Sequence, residues 1–346
     1  MAHEIDLKNY KLHTDMVVET YDKEKQVKGL THKESKYKDI LVEETRIEKE
    51  AEETIGKKAG IYETITFQDI TDKDNYKEVL EVLVDTLKKV YEEISITEDS
   101  KCLIIGLGND QSTPDALGPN TVDNVLVTRH LFSLGEVEEG YRNTSIFKPN
   151  VTGVTGIETN QLIKGIVEET KPDFLIVIDA LAAKAISRVN KTIQITDTGI
   201  EPGSGVGNTR AEISKESLHI PVIALGVPTI VDAATICYDT IQYMLKQFSY
   251  KIENRDNQKL KFVTESNQNY LNHEKELSLR EKEKVLGMVG TLSEEEFKRL
   301  LVEVLSPIDY NLMVTPKEVD FIIRKLSTLI ASAINKSLHK SYNTTN

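Results

Sequence analysis

The sequence has no tryptophan and only two cysteines, Cys102 and Cys237. Two cysteines cannot build a cysteine-rich zinc site or a disulfide framework. Both lie in apolar runs and are expected to be buried thiols. Long hydrophobic stretches are missing as well. Runs such as IPVIALGV fall far short of the ~20 residues that a bilayer-spanning helix needs, and the polar start MAHEIDLKNYKLHTD has no apolar segment of signal type. A soluble, cytoplasmic protein is expected, with no membrane partner. Positive charge is in deficit: 43 Lys and Arg stand against 56 Asp and Glu, a net charge of -13. That argues against an electrostatic grip on nucleic acid. Seven histidines occur, none in a GxSxG or HExxH frame, so neither a Ser-His-Asp triad nor a His-rich metal site has support. Gly106-Leu107-Gly108 fails as a dinucleotide fingerprint because Gln111 stands where the third glycine belongs. The glycine-rich GIEPGSGVGN (199–208) lacks the Lys-Ser/Thr of a P-loop, and its glycines read as sites of close backbone approach.

What is present is a hydrophobic fraction of 39% in a 346-residue chain, enough for one large α/β domain or two modest ones. Residues 1–38 are polar and read as an extended arm. DILVEETRI (39–47) and GIYETITF (60–67) alternate like strands, and residues 75–94 place apolar side chains on one helical face. Strands are expected at 103–106, 174–178, 191–196 and 220–225, and helices at 116–131, at 159–169 and, after GVPTIVDAAT (226–235), through 248. The charged stretch 249–284 reads as an exposed insertion. Ser293 and Glu296 have capping-box spacing, and Pro316 opens a last helix that runs to about His339. This alternation predicts an α/β fold with a mostly parallel twisted sheet and helices on both faces.

Two stretches carry the chemistry: CLIIGLGNDQSTPDALGP (102–119) and FLIVIDALAA (174–183). Each is an apolar strand followed by a turn that bears an aspartate. In an open α/β sheet the loops at the carboxyl ends of parallel strands share one crevice, so Asp115 and Asp179 are expected close together. Paired carboxylates can share a proton, one acting as base on water while the other donates. That is hydrolase chemistry. Asp115 also fits a helix cap, whereas Asp179 is costly to bury unless paired or used. Asp232, in PTIVDAAT, is a third acid before a helix, with capping as its simpler role.

GLGNDQSTPDALGP, GVTGIETNQ (153–161), VIDALAA, TDTGIEPGSGVGNTR (196–210) and IALGVPTIVDAAT (223–235) together closely resemble the germination protease family of spore-forming bacteria, over nearly the whole chain. The resemblance implies an endopeptidase of the forespore and spore core that degrades small acid-soluble spore proteins, needs no cofactor and assembles as a homotetramer. By motif its two catalytic aspartates fall on Asp115 and Asp179. Family members are zymogens that cut off a short propeptide after an acidic residue, which places the processing bond at Asp15–Met16. The implied division is a propeptide at 1–15, a peptidase domain at 16–248 plus 285–340, and an insertion at 249–284. Backbone N–H groups around Gly205 are candidates to hold substrate. Arg210, with Lys184 as the alternative, is the candidate cation for an acidic side chain, and Thr198, Thr155 and Asp232 are candidate helpers. The fold is also similar to the hydrogenase maturation endopeptidases, which bind nickel through two acids and a histidine. The acids have counterparts here and the histidine does not, so a metal-dependent endopeptidase stays open beside the aspartate mechanism. A non-enzymatic small-ligand binding protein is the third reading.

Overall fold

A computed structural model describes residues 14–203, 211–254, 275–305 and 312–342. The described residues form two compact units, one drawn from 14–231 with 315–342 and the other from 232–314. The larger unit is built on one sheet, in the order β1 (Leu30–Tyr37), β2 (Ile40–Ile47), β3 (Gly60–Thr66), β7 (Thr192–Thr196), β8 (Val222–Asp232), β6 (Phe174–Ala183), β4 (Cys102–Gly106), β5 (Thr144–Phe147).

The expectation of a mostly parallel sheet is corrected. β4 pairs in parallel with β5 and β6, and β6 with β8. The pairings from β1 through β2, β3 and β7 to β8 are antiparallel. The link from Lys184 to Lys191 is shorter than a parallel crossover requires, so the chain returns in the opposite direction in β7. The parallel part has helices on both faces, as expected. On one face Cys102, Ile104, Phe174, Ile176 and Ile178 pack with the helices Lys73–Glu93 and Val319–Leu338. On the other, Leu103, Ile105, Leu175 and Val177 pack with Ile163 of the helix Thr159–Thr170. Strands covered on both faces need continuous apolar runs, which is why β4 and β6 are so apolar.

Several boundaries differ from the sequence reading. β6 does not stop at Ile178 but runs on to Ala183, and β8 runs on to Asp232. Asp179 is therefore inside a strand, paired with Gly226, and not in a turn. The arm contains β1, an exposed and polar edge strand that pairs with β2 through its backbone. The helix expected over 116–131 is two short ones, Leu117–Val122 and Arg129–Leu134. The chain between them is drawn away because the Leu126 N–H donates to Asn335 Oδ1 at 2.9 Å. Cys102 is buried, but Cys237 is only half-buried.

In the smaller unit the helix Ala233–Glu253 starts at Asp232, whose carboxylate accepts from the Ala234 N–H at 2.7 Å. This is the capping role. A helix at Leu279–Leu286 opens with a Ser278–Glu281 capping box, and the helix Glu294–Leu305 follows Ser293. No helix among the described residues is long and apolar enough to cross a membrane.

Candidate active site

The site grows from the point where β4 ends and β6 continues. Gly106 is the last residue of β4 and lies opposite Ile178. Beyond it the Leu107 N–H donates to the Ile178 carbonyl at 2.8 Å. Gly118 is wedged into this junction, where a Cβ would collide with the carbonyl oxygens of Leu107 and Ile178. Gly108 has φ +109, and a Cβ there would strike the Asp115 carbonyl oxygen. Glycine alone supplies both the positive φ and the close approach. The loop is thus folded back on itself, with Asp115 Oδ2 accepting from the Asn109 N–H at 2.9 Å. The helix Leu117–Val122 begins after Ala116 with no side-chain cap, so capping that helix is not what Asp115 does.

Asp179 directly follows Ile178 on the strand, is 7% exposed, and accepts from the Ala180 N–H through Oδ1 at 2.9 Å. A buried carboxylate needs such partners to remain tolerable. The Asp115 loop therefore lies beyond the end of β4, alongside the part of β6 that bears Asp179.

From Asp179 onward, the edge of β6 that β4 had covered is open to another partner. Ile178 and Ala182 are an even number of residues apart and present backbone groups to the same edge. The chain's own N-terminal segment takes that edge. The Asp15 N–H donates to the Ala182 carbonyl at 3.0 Å, and Asp15 Oδ2 accepts from the Ala182 N–H at 2.8 Å. Glu19 anchors the far end of the segment. Its carboxylate accepts from the N–H groups of Lys184 and Ala185 at 2.6 and 3.0 Å and lies 3.5 Å from Arg188. Between these anchors Met16 and Val17 are fully buried.

Among the other predicted positions, Thr198 Oγ1 is hydrogen-bonded to Thr196 Oγ1 and the Tyr62 hydroxyl. Thr155 is exposed and turns its hydroxyl onto Ile157 of its own loop. Lys184 contributes its backbone N–H to Glu19. Gly205 and Arg210 lie outside the described residues. The sequence reading did not single out Lys57, Gln194, Glu19 or Arg188. Each is an ordinary polar residue in its local sequence, and only the path of the chain brings them to the Asp15 segment. Among the described residues one triple is spaced to hold a metal, His32, Glu34 and Glu43. Lys23 already pairs with both of its carboxylates.

Two acids where β4 ends beside β6, next to an edge of β6 that holds the chain's own Asp15, outline a candidate peptide-hydrolase site. The comparisons point to the same class of protein. The germination protease family profile matches residues 6–346. The chain is 46% identical to the germination protease of Bacillus subtilis (strain 168), covering 97% of this chain and 96% of that protein. It is likewise 46% identical to those of Bacillus thuringiensis subsp. konkukian (strain 97-27) and Bacillus cereus (strain ATCC 10987 / NRS 248), each over 98% of this chain and 96% of the relative.

The chain is a peptidase, and it belongs to the germination protease family. The reading as a non-enzymatic binding protein does not stand.

Proposed function

We propose that this endopeptidase degrades small acid-soluble spore proteins in the spore core during germination. It is made as a zymogen that removes residues 1–15 by cutting Asp15–Met16, and its mature form works as a homotetramer. The observation that carries the reading is the seating of Thr14–Met16, extended ahead of the 3-10 turn Val17–Glu19, on the edge of the strand that bears Asp179. An extended peptide added to a free strand edge is held by its backbone and sorted by its side chains.

In the proposed mechanism Asp115 and Asp179 flank a water. One carboxylate takes its proton. The other, protonated, polarises the scissile carbonyl or protonates the leaving amine. The preference for an acidic residue before the cut is supported by the Asp15 carboxylate, which accepts from the Ala182 N–H. Arg210 is proposed to add positive charge there, and Gly205 and Thr198 to line the substrate strand. Asp232, already a helix cap, keeps only a supporting role.

The test is cleavage of a purified small acid-soluble spore protein by chain that has lost residues 1–15. Fragments ending in Glu or Asp are expected. Cutting without regard to acidic residues would contradict the specificity, and no cutting of that protein would contradict the substrate.

A further inference from the structure

The peptide between Asp15 and Met16 is gripped in a way that seating alone does not require. The Asp15 carbonyl oxygen accepts two hydrogen bonds, from Gln194 Nε2 at 3.0 Å and from Lys57 Nζ at 3.2 Å. Lys57 Nζ also donates to the Thr14 carbonyl at 2.8 Å. Gln194 spans the bond, since its Oε1 accepts from the Val17 N–H at 2.7 Å. On the leaving side, the Met16 N–H donates to Thr14 Oγ1 at 3.1 Å. One peptide bond is thus fixed from both sides, on its carbonyl by Lys57 and Gln194 and on its N–H by Thr14 Oγ1, which itself donates to Glu19 Oε2 at 2.5 Å.

The nature of one donor matters most. Part of Lys57 reaches the surface, but its ammonium lies inside, and burial holds it below the usual lysine range against the pull of Asp15 and Glu201. An ammonium is an expensive way to satisfy a neutral carbonyl. The expense is justified where that oxygen acquires negative charge during a reaction, because preorganised donors in a water-poor site then stabilise the transition state more than the ground state.

We propose that Lys57 and Gln194 form the oxyanion-holding pair for the cut, at Asp15–Met16 in the zymogen and at the equivalent bond of substrate strands that later occupy the same edge of β6. The proposal rests on the reading of Asp15–Met16 as the processing bond. In the step, the oxygen of water bonds to the Asp15 carbonyl carbon and the water proton passes to the aspartate pair. The π pair of the carbonyl moves onto its oxygen, facing Lys57 and Gln194. That pair then returns, the C–N bond breaks, and the Met16 nitrogen takes a proton. The products are an Asp15 carboxyl group and a Met16 amine, with no change in oxidation state.

The test uses the full chain and follows loss of residues 1–15 by intact mass, a single-turnover rate with no binding step. Lys57→Met, Lys57→Arg and isosteric Gln194→Glu are compared with the unchanged chain. Hydrogen exchange over residues 14–20 reports whether the segment stays seated. Lys57→Met and Gln194→Glu are expected to slow the cut by about 100-fold or more with the segment still protected, and Lys57→Arg to retain most of the rate. Processing at the original rate by both Lys57→Met and Gln194→Glu would overturn the proposal. So would slowing that merely tracks loss of protection, since the pair would then only seat the segment. If Lys57→Met does not fold, Gln194→Glu and Lys57→Arg decide alone. If the unchanged chain cuts itself at some other bond, the processing-site reading has failed and the proposal falls with it, a result distinct from both of the others.

Discussion

The two halves of the sheet are held by different physics. In the parallel half, β4 is buried at every position and β6 at all but one, and apart from Cys102 and Asp179 their side chains are aliphatic or aromatic. In the antiparallel half, β2 and β3 carry Glu43 and Glu63, each 1% exposed. Lys23 pairs with Glu43, and Lys89 bridges Glu63 and Glu44 at 2.5 Å each. Burial raises the Glu44 carboxyl, but hydrogen bonds from Arg46 and Lys89 outweigh it and hold the group at about 2. Burial pushes Glu63 up despite Lys89. The apolar half thus offers a rigid platform on which two acids can be placed, and the charged half depends on partners that lie outside the sheet. Arg188 ties the halves together through Glu19, and it stands 4.0 Å from Glu43.

The largest effect is expected where the apolar half carries the proposed chemistry. Asp179→Asn should lower the rate of cutting by about 100- to 10,000-fold while leaving the melting temperature nearly unchanged. Next comes a pair of substitutions that sets the halves against each other. Lys89→Met strands a buried Glu63 and should cost about 3–5 kcal/mol in urea unfolding near neutral pH. That cost should shrink as pH falls and Glu63 takes a proton. Ile104→Ala in β4 should cost about 2–5 kcal/mol with no such pH dependence. If both respond to pH alike, the contrast between the halves is wrong.

A smaller effect belongs to the outer edge of the parallel half. Burial, with the nearby Arg142 guanidinium, lowers the His339 imidazole to about 4, and its Nδ1 accepts from the Arg142 N–H at 3.1 Å. Because the folded pKa lies below the unfolded one, the unfolded chain binds the extra proton first. Stability is therefore full above about pH 6.5 and is lost as pH falls from there toward 4, by about 2–3 kcal/mol. His339→Gln should flatten that part of the stability profile. Least of all, Lys28→Ala removes an exposed pair with Glu50 and should change stability by less than about 1 kcal/mol.

The apolar half was legible in the sequence because a strand buried on both faces can only be an unbroken apolar run, as the LII and FLIVI stretches are. β1 was not legible, since LTHKESKY buries almost nothing and is held by its pairing with β2. The direction of β7 was implicit in the short 184–191 link, though the βα alternation pointed the other way. Of the candidate site, Asp115 could be singled out as an acid on the loop after an apolar strand, and Asp179 from the cost of burying charge. The stretch Thr14-Asp15-Met16 says little by itself, and Lys57 and Gln194 say nothing locally. Their meaning depends on chain segments far apart in sequence meeting at one edge of β6.

The most direct measurement follows the intact mass of the full chain over time at mildly acidic pH, beside Asp179→Asn, each with and without EDTA. Loss of residues 1–15 from the unchanged chain in EDTA, and none from the variant, is the result expected of a self-processing peptidase that uses an aspartate pair. Loss at the same rate from Asp179→Asn, or loss abolished by EDTA, would contradict it.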